Sequence, residues 1–141
     1  IQSKLGSGKS ILLECIAKQL VAKYNVYFVN SVEYLIEDMN YIQTCSNRQT
    51  ILFLDDYGYY ISLLKELGND FPENIKIIMT CRTSININLY SDLIERYNYD
   101  PENIEIIDID RMNDSDINEV IKIVGFGEFM IEQMILKKES Y

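Results

Sequence analysis

Five residues near the start, Gly6-Ser7-Gly8-Lys9-Ser10, constrain the chain more than any other stretch. They read as the closing half of a phosphate-binding loop of pattern G-x-x-x-x-G-K-[ST]. Each residue type has a physical task. Gly6 and Gly8 supply the φ freedom for a tight wrap that turns backbone N–H groups inward as an anion nest. Lys9 brings a mobile positive charge to the outer phosphates, and Ser10 offers a hydroxyl to Mg²⁺. The following helix aims its N-terminal dipole at the same anion. The first glycine of the pattern would fall at position 3, where this chain has Ser3. Serine resists positive φ, so the approach to the loop is expected to be shaped differently. A Gly/Ser turn capping a helix is the plain alternative.

A loop of this kind joins a strand to a helix. The chain opens at Ile1 without a methionine, and at most Ile1-Gln2 remains of that strand. The reading is therefore of a piece of a longer chain whose first strand lies largely outside it. Apolar spacing at Leu12, Ile16 and Leu20, with Leu13 and Ala17 beside them, predicts a helix over 10–23. Val26 to Val29 is β-prone and nearly all apolar, which predicts a strand buried on both faces. Ser31 is expected to cap a helix running to about Met39, and Thr44 to Gln49 to form a loop. Ile51-Leu52-Phe53-Leu54 is a buried parallel strand leading straight into Asp55-Asp56. Ile61, Leu63, Leu64 and Leu67 mark the next helix, stopped by Gly68, and Pro72 falls in a loop. Ile75 to Met79 is another buried strand, followed by polar Thr80 to Ser84 and a helix from about Leu89 to Tyr97 in which Leu93 and Ile94 are buried. Past Pro101, residues 104–109 predict a further strand. Asn113 resembles a cap for a helix carrying Ile117, Val120, Ile121 and Val124, and one more helical segment falls within 126–138. Strands alternate with helices, so the expected class is α/β with a mainly parallel sheet.

With 141 residues, 48% of them hydrophobic and 25% charged, the chain has the composition of a folded domain. A net charge of −9 argues against a general nucleic-acid or anionic-membrane binder. It leaves a nucleotide site open, because one lysine, backbone amides and Mg²⁺ carry the local field there. The chain has no histidine, and Cys15, Cys45 and Cys81 form no CxxC pair. Zinc sites and histidine-dependent triads are thereby set aside, and the odd cysteine count fits a reducing cytoplasm. No apolar run approaches the length of a membrane span, so no membrane partner is expected.

Two further features carry chemistry. Asp55 and Asp56 end an apolar strand, where ligands bind in open α/β sheets. Asp55 suits the shell of a Mg²⁺ ion, and Asp56 suits the role of base toward an attacking water. An acidic pair after a strand also serves as a turn or helix cap. Arg82 follows the next strand and would reach a γ-phosphate at the same sheet edge; a surface arginine paired with an acid is the alternative. Thr80 or Thr83 would assist it or merely cap the chain. Tyr57, Tyr59 and Tyr60 lie beside the acidic pair and are expected mainly to pack. No Asn-Lys-x-Asp run for guanine is present.

The order Gly-Ser-Gly-Lys-Ser, then Ile-Leu-Phe-Leu-Asp-Asp, then Ile-Ile-Met-Thr-Cys-Arg resembles the STAND class of P-loop NTPases, relatives of the AAA+ and NB-ARC ATPases. The run from Ile107 through Ile121 resembles the segment that opens the helical lid in that class. The resemblance covers Ile1 to about Val124. It implies a three-layer fold with sheet order 5-1-4-3-2, an ATPase core over 1–112 and the start of a lid over 113–141. It implies ATP or ADP with Mg²⁺ as ligands, held by Gly6, Ser7, Gly8, Lys9, Ser10 and Ile11. Ser10 and Asp55 would serve the metal, Asp56 the water, and Arg82 would act as sensor. It also implies slow hydrolysis in a signalling switch of the kind found in bacterial defence, with flanking sensor and effector domains and a homo-oligomer in the ATP state. In that order the first strand is central, so residues 1–141 alone are expected to be unstable or to depend on preceding residues. Two other readings stand beside this one: a non-catalytic nucleotide-binding or protein-interaction module, and a small-molecule or nucleoside kinase. Against the kinase, Arg48, Arg82, Arg96 and Arg111 do not cluster in the sequence.

Overall fold

The computed structural model describes residues 1–45, 48–68, 73–111, 113 and 115. In chain order the elements are β1 (Gln2–Ser3), α1 (Lys9–Leu20), β2 (Asn25–Phe28), α2 (Leu35–Cys45), β3 (Thr50–Leu54), α3 (Ile61–Leu67), β4 (Ile75–Met79), β5 (Cys81–Arg82) and α4 (Thr83–Glu95). A 3-10 turn over Tyr57–Tyr60 leads into α3, and two more occupy Pro101–Asn103 and Ile109–Arg111. The protein is mixed α/β, and every strand pair among the described residues is parallel.

β2, β3 and β4 form one three-stranded sheet, and β1 pairs with β5 in a second. Thr80 alone separates β4 from β5, so the two sheets meet in one backbone run. Ile1 N donates to Met79 O at 2.8 Å, and Cys81 N donates to Ile1 O at 3.0 Å. On the other side of β1, Gln2 N donates to Ile107 O at 2.7 Å, and Gln2 forms a parallel bridge with Asp108. Followed along these bonds, residues 107–108 lie beside β1, β1 beside β5, and β4 beside β3, with β2 beyond.

β3 is buried along its whole length. Its side chains alternate between faces, as strand geometry requires. Ile51 and Phe53 pack with Leu13 and Ala17 of α1. Leu52 meets Met39 and Ile42 of α2, while Leu54 joins Leu63, Leu64 and Leu93 of α3 and α4. Helices thus cover both faces of the strand, which explains why it reads as an unbroken apolar run rather than an alternating one. Among the described residues, no helix is long and apolar enough to cross a membrane.

Several expectations need correction. β2 is not buried on both faces: Tyr27 and Phe28 are 42% and 41% exposed, because β2 pairs on one side only among the described residues. α1 ends at Leu20, and its fully buried centre is Leu13 rather than the Leu12–Ile16 line. Ser31 does not cap α2; its hydroxyl accepts from Glu33 N in a local turn, and the helix starts at Leu35. That helix runs on through Thr44, whose hydroxyl donates back to Asn40 O. α4 begins at Thr83, ahead of the expected Leu89, directly where β5 ends. Leu93 is buried there, but Ile94 only partly. The strand expected over 104–109 shrinks to the bridge at Asp108, since only Gln2 pairs with it. The helices expected beyond Asn113 and the loop position Pro72 lie outside the described residues, as does nearly all of the expected lid.

Two consequences are measurable. Phe53 is fully buried and stacks on Phe28 with ring centroids 5.0 Å apart. Phe53→Ala should cost about 3–5 kcal/mol in urea unfolding, whereas Ile87→Ala, at a site 72% exposed, should stay within about 0.5 kcal/mol. Tyr99 donates its hydroxyl to Leu64 O at 2.7 Å, and burial pushes its pKa up to about 12 from an ordinary 10.0. A raised folded value means that the contribution is whole below pH 10.0 and is lost as pH climbs toward about 12. Stability should therefore fall across that window. Tyr99→Phe should flatten part of the fall, while Tyr57, raised still further by burial, and the Cys15 and Cys81 thiols, also raised by burial, contribute to the rest.

Candidate functional site

The loop leaves β1 at Ser3 and closes at Gly8, the N-cap of α1. Gly6 and Gly8 both take φ of 82°, the left-handed region that glycine tolerates best. A Cβ on Gly6 would meet nothing within 4 Å, so conformation rather than space demands glycine there. Gly8 O accepts from Leu12 N at 3.0 Å and opens the helix, whose first turn carries no acidic residue. The helix N-terminus therefore keeps its positive end uncompensated by its own side chains.

Ser3 resolves simply. It is extended in β1, paired with Arg82 and fully buried, so no positive φ is asked of it. Its hydroxyl is hydrogen-bonded to the Ser7 hydroxyl, and Ser7 Oγ donates to Lys4 O at 2.8 Å. Lys9 curls back over this turn. Its Nζ donates to Lys4 O at 2.9 Å, Ser3 Oγ at 3.1 Å and Ser3 O at 3.3 Å. Ser10 and Ile11 are exposed at the start of α1.

The acidic pair stands just past β3. Thr80, fully buried at the junction of β4 and β5, holds both residues. Thr80 Oγ1 donates to Asp55 Oδ1 at 2.7 Å and accepts from Asp56 N at 2.9 Å. Thr80 O accepts from Tyr57 N at 2.9 Å, which closes the turn. Asp56 sits at φ 57°, an uncommon conformation for a residue with a Cβ. Asp55 is exposed and Asp56 partly so, leaving both carboxylates accessible.

Lys9 and Asp56 both act on Cys81, between the loop and the acidic pair. Burial is the first cause that pushes this thiol up; the Asp56 carboxylate pushes it further, while Lys9 pulls it down. Arg82 is exposed, lies beside Ser3 in the strand register and occupies the N-cap position of α4 without a side-chain cap bond. It forms neither of the two ion pairs seen among the described residues, Asp92–Arg96 and Asp108–Arg111.

The tyrosine cluster divides. Tyr57 is buried and donates to Asn86, Tyr60 is half-buried, and Tyr59 is exposed. Two groups at the site escaped the sequence reading. Asn86 was lost with the misplaced start of α4. Asp110, whose Oδ2 accepts from Lys4 N at 2.7 Å, carries no sequence signal across so long a separation.

Among the described residues, no group of three or more His, Cys, Asp or Glu could hold a metal ion. A Mg²⁺ ion asks for less, since it keeps several waters and binds through one or two carboxylates plus substrate phosphates. The hard oxygens of Ser10 and Asp55, both exposed, suit that role. A groove of about 300 Å³ runs between α1 and β2, lined by Glu14, Ala17, Lys18, Val21, Val26 and Phe28. None of these residues belongs to the loop or the acidic pair.

Thr80→Val keeps the branched shape and removes the hydroxyl. It should cost about 1–3 kcal/mol in denaturant unfolding by leaving Asp56 N–H without its acceptor. An unchanged midpoint would show that water replaces the hydroxyl freely.

No protein-family model, curated protein or solved structure matches the chain, and what the site can do is set by these residues and their bonds.

Proposed function

We propose that the chain is the ATP- and ADP-binding core of a STAND-class P-loop NTPase, a signalling switch with slow Mg²⁺-dependent hydrolysis. One observation carries the reading. The lysine-bearing loop after β1 and the acidic pair after β3 flank the same backbone run, Met79–Arg82, in parallel strands. Parallel strands put both at the C-terminal edge, where ligands bind in open α/β sheets. The lateral sequence 107–108, β1, β5 and β4, β3, β2 also agrees with the 5-1-4-3-2 order of that class.

The chain's own groups have definite tasks under this reading. Lys9 exchanges the neutral oxygens of Ser3 and Lys4 for phosphate oxygens, a stronger charge-assisted contact. The amides around Gly6 to Ser10 and the start of α1 would bind the anion, and Ile11, exposed in the first turn of α1, would line the nucleotide. Ser10 and Asp55 would hold Mg²⁺, which when bound neutralises developing charge on the phosphates. Asp56 orients water and accepts its proton. Arg82 senses the outer phosphate. Oligomerisation with ATP, flanking sensor and effector domains, a cytoplasmic setting and a defence role belong to the same proposal.

The test is equilibrium binding of ATP and ADP with Mg²⁺, followed by turnover. Lys9→Ala should weaken binding by about 10- to 100-fold, the loss of one charge-assisted contact. Asp56→Ala should keep binding and slow hydrolysis by about 10²- to 10⁴-fold. If a folded chain binds neither nucleotide, the proposal fails and an interaction module takes its place. Tight ADP binding without any hydrolysis would leave a binding module.

A further inference from the structure

Four side chains from separate parts of the fold form one directed file of hydrogen bonds behind the candidate site. Tyr57 Oη donates to Asn86 Oδ1 at 2.6 Å. Asn86 Nδ2 donates to Gln2 Oε1 at 2.8 Å. Gln2 Nε2 donates to Asp108 Oδ2 at 3.0 Å. Arg111 Nε stands 3.3 Å from the same carboxylate oxygen. Each amide donates on one side and accepts on the other, so the direction of the file is fixed by its ends. A hydroxyl donates at one end, and a carboxylate, which only accepts, stands at the other.

Both ends of the file abut the site. Tyr57 directly follows Asp56 and its left-handed turn. Gln2 directly precedes Ser3, whose carbonyl and hydroxyl accept from Lys9. Asp108 is two residues from Asp110, which takes the Lys4 amide. Strand pairing fixes β1, β3 and β5 against one another, but it does not fix the turns that leave their ends. Thr80 holds the acidic turn to the junction of β4 and β5, and the file adds a second tie, from that turn to β1 through α4. Asn86 is one of its two inner members and is buried on a helix that otherwise packs through Leu89 and Leu93. An amide at such a position is costly when either its oxygen or its nitrogen is left without a partner. Here both ends of the amide are used.

We propose that Asn86 is a positioning residue for the candidate phosphate site, holding the Asp55–Asp56 turn and the β1-to-loop junction in register through Tyr57 and Gln2. The proposal rests on the nucleotide reading above. The side-chain hydrogen bonds of Asn86 go to Tyr57 and Gln2, not to Lys9, Ser10, Asp55, Asp56 or Arg82, so it acts on where Asp56 and Lys9 stand. The consequence falls on turnover more than on affinity, because misplacing a reacting group hardly alters the many amide contacts that bind an anion.

The experiment compares the wild-type chain with Asn86→Ala, Tyr57→Phe and the double variant. It uses amide ¹H–¹⁵N spectra, Mg²⁺-ATP binding and single-turnover hydrolysis. Tyr57→Phe keeps the ring and removes only the hydroxyl, so it serves even if Asn86→Ala does not fold. The amide signals of Gln2, Ser3 and Lys4 should move in Tyr57→Phe along with that of Asp56. Hydrolysis should fall about 10- to 100-fold, with the ATP dissociation constant within about threefold of wild type. The double variant should be no slower than the slower single variant. Signal changes confined to the Tyr57 turn, unchanged hydrolysis, or a fall only in step with affinity would each overturn the proposal. A wild-type chain that binds no ATP would sink the nucleotide reading. Signals that still cross to β1 would then make Asn86 an architectural tie without a positioning role.

Discussion

Thr80 and Cys81 send their backbone amides in opposite directions. Thr80 N bonds to Leu54 O of β3, and Cys81 N bonds to Ile1 O beside β1. Neighbouring residues of a strand bond alternately to left and right, so the run Met79–Cys81 serves both neighbours at once, with Met79 and Cys81 bonded to Ile1 and Thr80 bonded to Leu54 and Tyr57. The consequence lies in the side chain between them. Thr80 is left buried with its hydroxyl at the turn beyond β3, where it serves Asp55 and the Asp56 amide together. The acidic pair is therefore built by the adjacent strand as much as by its own. Moving either strand by one residue would turn the hydroxyl to the opposite face and strand the Asp56 amide.

The site stands on a rigid base and is itself lightly held. β3 is buried from end to end and covered on both faces, whereas Leu5 in the loop is largely exposed and adds no core. The loop keeps its shape through polar bonds, chiefly the three that Lys9 makes to Ser3 and Lys4. An ammonium bonded to neutral oxygens is a modest tie, and one that a more negative acceptor displaces. The base fixes position while the loop remains able to trade partners, a division of labour common to loops that bind ligands on a stable scaffold.

What could be read in the sequence followed from how local each signal was. Ile51 to Leu54 announced a doubly covered strand because nothing polar interrupts it, and Gly68 stopped α3 at a positive φ that glycine accepts. The two loop glycines declared their own backbone. β2 misled, because an apolar run gives no sign of whether a neighbour exists on its outer side. The start of α4 was misplaced because Thr83, Ser84 and Asn86 read as loop, yet Asn86 is the residue that the tertiary structure uses. Ser3 looked like a departure only while the position was assumed to need glycine, and its extended conformation removes the difficulty. Contacts such as Gln2 to Asp108 or Lys4 to Asp110 join residues from opposite ends of the chain, and no short pattern encodes them.

Charge links the local site to the whole chain. The net charge of −9 opposes any anionic ligand at long range, but salt screens that field beyond roughly 8–10 Å. Nearer in, Lys9, the amides of the loop and the start of α1 outweigh it, since α1 has no acid in its first turn. The acidic pair is a different matter. A phosphate charge about 5 Å from one carboxylate, at an effective dielectric near 20, is repelled by roughly 3 kcal/mol, enough to cancel the contact that Lys9 offers. A cation between loop and pair would remove that cost. Under the nucleotide reading, Asp55 and Asp56 therefore make the site selective: they oppose a bare anion and favour one that arrives with its divalent metal.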